Sequence, residues 1–231
     1  MEPRAVTESS AQAPVGDSRD FKWMARALEL ARRGEALTHP NPMVGAIVVA
    51  GDREVGLGVH TYDGVKHAEV LALEEAGSRA RGASLYLNFE PCGHTGRTPP
   101  CTDAILSAGI ARVVAAMKDP NPRVAGRGFA QLERAGVKIT TGILEKEARR
   151  LNEAFACWIR TGRPFVTLKA ALTLDGRMAL PPPSRSRGKR AATGAQWITS
   201  PASRAEVQRM RHEGAHIDDL ISLPATLENR L

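Results

Sequence analysis

Aromatic residues, cysteines and long apolar stretches are all scarce in this sequence of 231 residues. Phe, Trp and Tyr make up 4% of the chain, which leaves few rings for stacking on nucleic-acid bases. The three cysteines are an odd number, which argues against a disulfide framework and for a reducing compartment. No apolar run approaches the roughly 18 residues of a membrane span. We therefore predict a cytoplasmic protein without a membrane partner.

The first residues and the charge balance narrow the class of protein further. Met1–Ser18 is polar and lacks the apolar core of about 7–15 residues that a secretory signal needs, so residues 1–19 are predicted to be a disordered tail. The net charge of +7 would suit nucleic acid or a phosphorylated small molecule. The densest basic run, Arg185–Arg190, lies in a stretch rich in Pro, Ser and Gly, and a solvated basic loop is its simplest interpretation.

Hydrophobic periodicity predicts that helices and strands alternate along the chain. A helix over Phe21–Arg33, with Asp20 as its N-cap, precedes a hairpin of two strands, Val44–Ala50 and Glu54–Val59. The later connections are long enough for crossovers, so the pattern indicates an α/β fold with a central mixed sheet and helices on both faces. The later elements are predicted as helix Ala68–Ala76, strand Ala83–Asn88, helix Thr102–Ser107, strand Ala111–Met117, helix Gly128–Ala135, strand Val137–Ile143 and helix Leu144–Thr161.

The pattern starts again after residue 162, where we predict a domain boundary. Phe165–Ala171 is predicted to be a strand, and a proline-rich loop and a helix over Ser203–Arg211 follow it. The chain is therefore divided into a tail (1–19), a first domain (20–162) and a second segment (163–231).

Four side chains suited to metal chemistry stand at predicted strand-to-helix junctions. His67 and Glu69 lie at the start of one helix, Cys92 follows a strand and Cys101 opens another helix. One imidazole and two thiolates are three tetrahedral ligands for zinc with a fourth position for water, and a helix N-terminus favours the thiolate. Zinc lowers the pKa of its water towards ~7, and Glu69 is placed to carry a proton from it to a departing amine. This combination of His-x-Glu and Pro-Cys is typical of zinc nucleobase deaminases.

Two simpler interpretations of these residues stay open. A closed structural zinc site needs a fourth protein ligand, which His94 could supply, and the cysteines could be unrelated buried residues. Eight residues, Gly93–Pro100, separate Cys92 from Cys101, whereas the nucleobase-deaminase motif has two. Because this loop carries a histidine, an arginine and hydroxyl groups, it suits a polar, phosphorylated substrate better than a flipped base. We therefore predict a small-molecule substrate and no nucleic-acid partner.

Several motifs make the chain resemble the bifunctional riboflavin-biosynthesis deaminase–reductases. The resemblance runs from about Asp20 to Arg211, and the motifs that carry it are Pro40–Gly45, His67–Glu69, Glu90–Cys101 and Asp119–Pro122. It implies a cytidine-deaminase-like three-layer α/β/α fold for residues 20–162. The implied reaction is hydrolytic deamination of 2,5-diamino-6-ribosylamino-4(3H)-pyrimidinone 5′-phosphate, a phosphorylated aminopyrimidine, with Zn²⁺ as cofactor. By the same resemblance the zinc ligands are His67, Cys92 and Cys101, the proton shuttle is Glu69, and the substrate-binding residues are Asn41, His60, His94 and Arg97.

Alternatives stay open for single residues and for the whole chain. Asn41 could cap a turn, His60 could be a surface histidine at a strand end, and Arg97 could be solvated. The chain could also be a nucleic-acid or nucleoside zinc deaminase, which a steep salt dependence of RNA binding would support. A third hypothesis is a non-catalytic scaffold remnant. The complete set of His67, Glu69, Cys92 and Cys101 argues against it.

Residues 163–231 resemble only the opening of the family's reductase. Arg163–Arg177 and Gln196–Ser200 match its first motifs, and Trp197 is the candidate residue for binding NADPH. The 68 residues from 164 to 231 are far fewer than the roughly 200 of a doubly wound dinucleotide domain. We therefore expect no NADPH-dependent reduction by this chain alone, and a coding sequence truncated or frameshifted near Arg211. An exposed partial domain could promote association, so a homo-oligomer stays open.

Overall fold

A five-stranded mixed sheet is built from the apolar runs of the first domain. The computed structural model describes residues 17–170, 172, 176 and 199–214. The order of strands across the sheet is β2-β1-β3-β4-β5, with β1 antiparallel to β2 and β3, and β4 parallel to β3 and β5. The strands are β1 (Gly45–Ala50), β2 (Arg53–Val59), β3 (Ser84–Leu87), β4 (Arg112–Ala115) and β5 (Lys138–Thr141).

Helices cover both faces of this sheet. They are α1 (Ser18–Arg32), α2 (Ala68–Ala76), α3 (Cys101–Ala108), α4 (Arg127–Arg134), α5 (Glu145–Leu151), α6 (Glu153–Thr161) and α7 (Pro201–Gly214), with a 3-10 helix at Gly77–Ala80. Helices α3 and α4 are the crossovers that the parallel pairs require. Neighbouring residues of β1 point to opposite faces: Gly45 lies against α1, whereas Ala46 pairs with Gly58, which lies against α2. The predicted three-layer α/β/α arrangement is confirmed.

Two glycines of β2 let α2 approach the sheet closely. A Cβ atom at Gly58 would lie 1.9 Å from the carbonyl oxygen of Ala68, and one at Gly56 would lie 2.1 Å from that of Ala72. Real Cβ atoms do not approach oxygen so closely, because protein interiors are packed at van der Waals contact. The two glycines therefore set the position of α2, whose first turn enters the site described below.

The two central strands form the apolar core under the site. Leu85, Leu87, Val113 and Val114 of β3 and β4 have no exposed surface. Because both faces of these strands are covered, they are continuous apolar runs and lack polar alternation. Full burial of such a side chain contributes roughly 1.5–3 kcal/mol. The carboxyl ends of β3 and β4 consequently stand on a rigid base.

The start of α1 differs from the prediction. The N-cap is Asp17, whose carboxylate accepts a hydrogen bond of 2.9 Å from the backbone N–H of Asp20. Asp20 lies inside the first turn and is buried, where it accepts bonds from the Tyr86 hydroxyl at 2.9 Å and from two guanidinium nitrogens of Arg112 at 2.9 and 2.7 Å. The sequence-based N-cap assignment was therefore wrong, because a tertiary ion pair with Arg112 and a hydrogen bond from Tyr86 bury the Asp20 carboxylate.

Three other predicted elements also need correction. The helix predicted over Leu144–Thr161 is two helices, α5 and α6, separated at Asn152. The strand predicted over Phe165–Ala171 is not formed as far as residue 170, where the backbone has no regular structure. A strand needs a partner, and the 92% exposure of Leu168 shows that none covers it. Ser18 and Arg19, which the sequence analysis assigned to the tail, form the first turn of α1.

The chain divides into two compact units, Met1–Phe165 and Val166–Leu231. The division lies close to the predicted domain boundary at residue 162, which stays a prediction. In the second unit, the predicted helix Ser203–Arg211 is present within α7. The basic run Arg185–Arg190 and Trp197 lie outside the described residues. No helix in the described part of the chain is long and apolar enough to cross a membrane.

We predict that Asp20→Asn destabilises the fold by about 3 kcal/mol at pH 7, because it leaves Arg112 without its carboxylate partner. Burial alone would raise the pKa of Asp20, but the hydrogen bonds from Arg112 and Tyr86 outweigh it and hold the pKa below its usual value. The carboxylate therefore stabilises the fold above pH ~4, and this contribution is lost as the pH falls through the folded-state pKa.

Urea unfolding of both proteins at pH 7 and at pH 3 checks this prediction. The difference in unfolding free energy between wild type and Asp20→Asn should shrink at the lower pH. Asp52→Asn, which removes an exposed ion pair with Arg19 of the same helix, is the matched control and should change little. Parallel pH profiles for wild type and Asp20→Asn would contradict the prediction.

Candidate metal centre

The candidate centre lies at the carboxyl end of β3, where two helices begin. The chain leaves β3 at Leu87 and reaches Cys92 five residues later, and Cys101 is the first residue of α3. His67 is the N-cap residue of α2, with extended backbone that directs the chain into the helix. Strand ends and helix N-termini thus bring together three residues that are up to 34 positions apart in sequence.

The three predicted ligands converge. The ligand atoms of His67, Cys92 and Cys101 all lie within 4.8 Å of one another. His67 Nδ1 lies 3.1 Å from Cys101 Sγ and 3.5 Å from Cys92 Sγ. One imidazole nitrogen and two sulfurs are a donor set that suits tetrahedral zinc. Among the described residues, no other group of three or more such side chains could hold a metal ion.

His94, the fourth ligand of the closed-site alternative, is exposed and does not belong to this group. Burial raises the pKa of Asp119, and the charge of His94 partly offsets that rise. Three protein ligands with no fourth are the arrangement of catalytic zinc sites, in which the remaining position serves water or substrate. The geometry therefore favours an open site.

Hydrogen bonds and helix position set the charge of the two sulfurs. The hydrogen bonds from the Cys101 thiol and from His67 lower the pKa of Cys92. The backbone N–H of Cys101, at the positive end of α3, also donates to Cys92 Sγ at 3.3 Å. The Cys92 sulfur and burial together raise the pKa of Cys101. In this arrangement Cys92 is the first of the two sulfurs to be a thiolate, the form that binds metal.

Glu69 lies beside the sulfurs, in the first turn of α2. Its side chain is only 3% exposed, and burial raises its pKa to about 7. The charge of Glu69 also contributes to the raised pKa of Cys101. A buried carboxyl group next to a metal site, but not among its ligands, is suited to holding and releasing a proton.

Asn41 and His60 form a linked pair next to the ligands. Lys66 accepts a hydrogen bond of 3.0 Å through its carbonyl oxygen from His60 Nδ1, which leaves His60 Nε2 to accept one of 3.0 Å from the Asn41 amide. The imidazole of His60 packs edge-on against that of His67, with 5.5 Å between the ring centroids. Burial lowers the pKa of His60. The structure therefore brings these two predicted substrate-binding residues to the centre, and His60 is buried instead of lying on the surface.

Arg97 lies on the exposed loop between the two cysteines. Its guanidinium stands 4.8 Å from the ring centroid of Tyr62, a cation–π contact that the sequence analysis did not foresee. The charge of Arg97 contributes to the lowered pKa of His60. Trp197, the predicted cofactor-binding residue, lies outside the described residues.

Two buried asparagines that the sequence analysis missed hold the segment behind Asn41. Asn152 accepts from the Met43 N–H at 2.8 Å and donates to the Met43 carbonyl at 3.0 Å. Asn88 donates to the same carbonyl at 2.9 Å and accepts from the Gly45 N–H at 2.9 Å. Asparagine is unfavourable in a helix interior. The position of Asn152 in the middle of the helix predicted over 144–161 was therefore the sequence signal that could have pointed to a break in that helix. Both side chains fix the backbone between the Asn41 loop and β1.

The fold and the donor set define a deaminase-type zinc-binding domain. The family "Cytidine and deoxycytidylate deaminase zinc-binding region" matches residues 17–117. The chain is 50% identical over 192 residues to the riboflavin biosynthesis protein RibD of Escherichia coli (strain K12), a match that covers 83% of this chain and 50% of that protein.

Solved structures agree with this relationship. RibD of Acinetobacter baumannii is 45% identical with a TM-score of 0.73, and the match covers 84% of this chain and 52% of that one. A diaminohydroxyphosphoribosylaminopyrimidine deaminase/5-amino-6-(5-phosphoribosylamino)uracil reductase of Thermotoga maritima is 41% identical with a TM-score of 0.72, covering 84% and 53%. Over most of its length the chain is similar to the riboflavin-biosynthesis deaminase–reductases, and it spans about half the length of the curated relatives it matches. The predicted resemblance and the cytidine-deaminase-like fold are confirmed.

We predict that Gly58→Ala weakens zinc binding by displacing α2. The added Cβ would lie 1.9 Å from the Ala68 carbonyl, next to His67, so the helix has to move away from the sheet. Overpacking of this kind costs about 1–3 kcal/mol of stability. Thermal unfolding and competition for Zn²⁺ with a chromophoric chelator measure the two effects. Gly96→Ala, whose Cβ meets open space, is the control, and wild-type zinc affinity in Gly58→Ala would contradict the prediction.

Proposed function

We propose that this chain is a zinc-dependent aminopyrimidine deaminase that acts on 2,5-diamino-6-ribosylamino-4(3H)-pyrimidinone 5′-phosphate and releases ammonia. The observation that carries the proposal is the convergence of His67, Cys92 and Cys101 beside a buried carboxyl group, Glu69. The names of the E. coli and T. maritima relatives place them in riboflavin biosynthesis and in this deamination, respectively. Because the chain spans about half of the relatives, the proposal covers the deamination and not the reduction.

The residues present fit a zinc ion. A nitrogen and two sulfurs within 4.8 Å of one another match the ligand types of catalytic zinc, and the three residues that would hold it are His67, Cys92 and Cys101. When bound there, zinc would supply Lewis acidity and lower the pKa of coordinated water towards ~7.

Glu69 would move the protons of the reaction. Its carboxylate takes one proton from water at the centre and delivers it to a ring nitrogen of the aminopyrimidine as the oxygen adds to the ring carbon. It then takes the remaining proton of the added hydroxyl and delivers it to the amine, which leaves as ammonia while the carbonyl forms. The burial of Glu69 supports this role, because a carboxyl group removed from solvent exchanges protons with the bound substrate and not with bulk water. Its position in the first turn of α2, two residues after His67, keeps it beside the reacting carbon.

The surrounding polar groups would orient the substrate. The Asn41 amide donates to His60, so its carbonyl oxygen is left to accept an N–H from the heterocycle. The Arg97 guanidinium, held against Tyr62, is suited to the 5′-phosphate because its planar fork matches phosphate oxygens. The exposed His94 lies on the same loop and is proposed to contact the sugar-phosphate part of the substrate.

We predict that purified protein loaded with zinc releases ammonia from this substrate, with about one zinc per chain. Glu69→Gln should retain zinc, because Glu69 is not a ligand, and should lower turnover by about 10²–10⁴-fold, the usual contribution of a general acid–base group. Coupled detection of ammonia and metal analysis provide the two measurements.

Glu147→Gln on the exposed face of α5 is the matched control and should keep full activity. Full activity in Glu69→Gln would remove the proton-transfer role. A zinc-loaded wild type that releases ammonia from RNA or from a free nucleoside, and not from the phosphorylated aminopyrimidine, would favour the nucleic-acid or nucleoside alternative.

A further inference from the structure

A buried carboxylate two residues before Cys92 ties together two segments of the site. Glu90 is 5% exposed, and its two oxygens accept three backbone hydrogen bonds. Oε2 accepts from the N–H groups of Asp119 at 3.0 Å and Gly126 at 2.8 Å, and Oε1 accepts from that of Gly128 at 3.0 Å. The three donors belong to the segment between β4 and the first turn of α4, so one side chain joins the chain after β3 to the chain after β4.

The joined segments also touch directly. A Cβ at Gly128 would lie 2.0 Å from the Pro91 carbonyl oxygen, and one at Gly93 would lie 3.2 Å from the Gly128 Cα. The start of α4 therefore packs on the backbone on both sides of Cys92. On the same helix, the Gln131 side chain accepts a hydrogen bond of 3.0 Å from Thr102, the residue after Cys101.

Both sulfur ligands thus depend on where α4 begins. We propose that Glu90 is a positioning residue for the metal centre: by fixing the backbone of residues 119–128, it holds Cys92 at the distance from Cys101 and His67 that one ion requires. This inference rests on the proposed zinc site. The helix dipole also favours a carboxylate at the N-terminus of α4. The Glu90 carboxylate therefore stabilises both the loop after β4 and the start of α4.

Other functions of Glu90 fit the geometry less well. Its two oxygens are occupied by three N–H donors, so it has little capacity left to bind substrate or metal. It is not part of the ligand group formed by His67, Cys92 and Cys101. Residues 118–126 contain no helix or strand, and Glu90 holds them at Asp119 and Gly126, while Arg160 donates a bond of 3.2 Å to the Pro120 carbonyl.

Glu90→Gln tests the inference with almost no change of volume. Because Oε1 and Oε2 both accept from backbone N–H groups, the amide NH₂ of glutamine must face at least one donor in either orientation. Zinc affinity, measured by competition with a chromophoric chelator, should fall about 10–100-fold, as for other groups that orient metal ligands. Amide hydrogen exchange should quicken at Asp119, Gly126 or Gly128 and stay unchanged in α1.

Asp20→Asn is the matched control, because Asp20 is a second buried carboxylate whose partners are the side chains of Tyr86 and Arg112 and not the backbone of residues 119–128. It should lower thermal stability and leave zinc affinity as in the wild type. Equal loss of zinc affinity in both variants would show a general effect of stability and overturn the positioning role. Wild-type zinc affinity in folded Glu90→Gln would overturn it as well.

A measurement on the wild-type chain covers the case in which Glu90→Gln does not fold. By linkage, zinc must slow exchange at the amides of Asp119, Gly126 and Gly128 if their placement and that of Cys92 are coupled. Unchanged exchange at all three on zinc addition would overturn the inference. A wild type that binds zinc and releases no ammonia would remove the proposed function and leave this inference standing, whereas a wild type that binds no zinc would remove both.

Discussion

The metal centre depends on a constraint of sheet topology: the ends of β3 and β4 must lie side by side, because they are parallel neighbours. Parallel strands need crossover helices, and the helix between them, α3, begins with Cys101. The first cysteine therefore comes from the end of a strand and the second from the start of the crossover that follows it. The third ligand, His67, stands at the start of α2. This helix packs closely against β2 because Gly56 and Gly58 have no side chain in its way.

Polar groups without solvent access hold the parts of the site that apolar packing does not reach. Glu90 and the asparagines Asn88 and Asn152 each bind backbone N–H or carbonyl groups of irregular segments. Such segments bury little apolar surface, so apolar packing alone cannot fix the course of their backbone. A fully satisfied buried polar group can, because any displacement leaves a donor or acceptor without a partner. Hydrogen bonds therefore fix the irregular segments of the site, whereas apolar packing fixes the strands beneath it.

Most of the fold was predictable because its signals are local. The helix over Ala68–Ala76 was predicted with the bounds that the structure has, and each strand of the sheet was predicted to within two residues at each end. Two of the misassignments share one cause, which is that a distant partner overrides a local preference. Asp20 leaves the N-cap for Arg112, and Asn152 interrupts a helix to bind Met43. Neither partner is near in sequence, so periodicity and capping rules had no access to them.

The sequence by itself determined which atoms can bind metal and in which order along the chain they occur, because His67, Glu69, Cys92 and Cys101 stand in a recognisable motif at element boundaries. Only the tertiary structure decided that the three ligand atoms meet within 4.8 Å and that His94 stays outside that group. It also decided that Glu90 faces the start of α4. The physical reason is that ligand type is a property of single residues, whereas convergence is set by strand register and by helix packing against the sheet, which join residues remote in sequence.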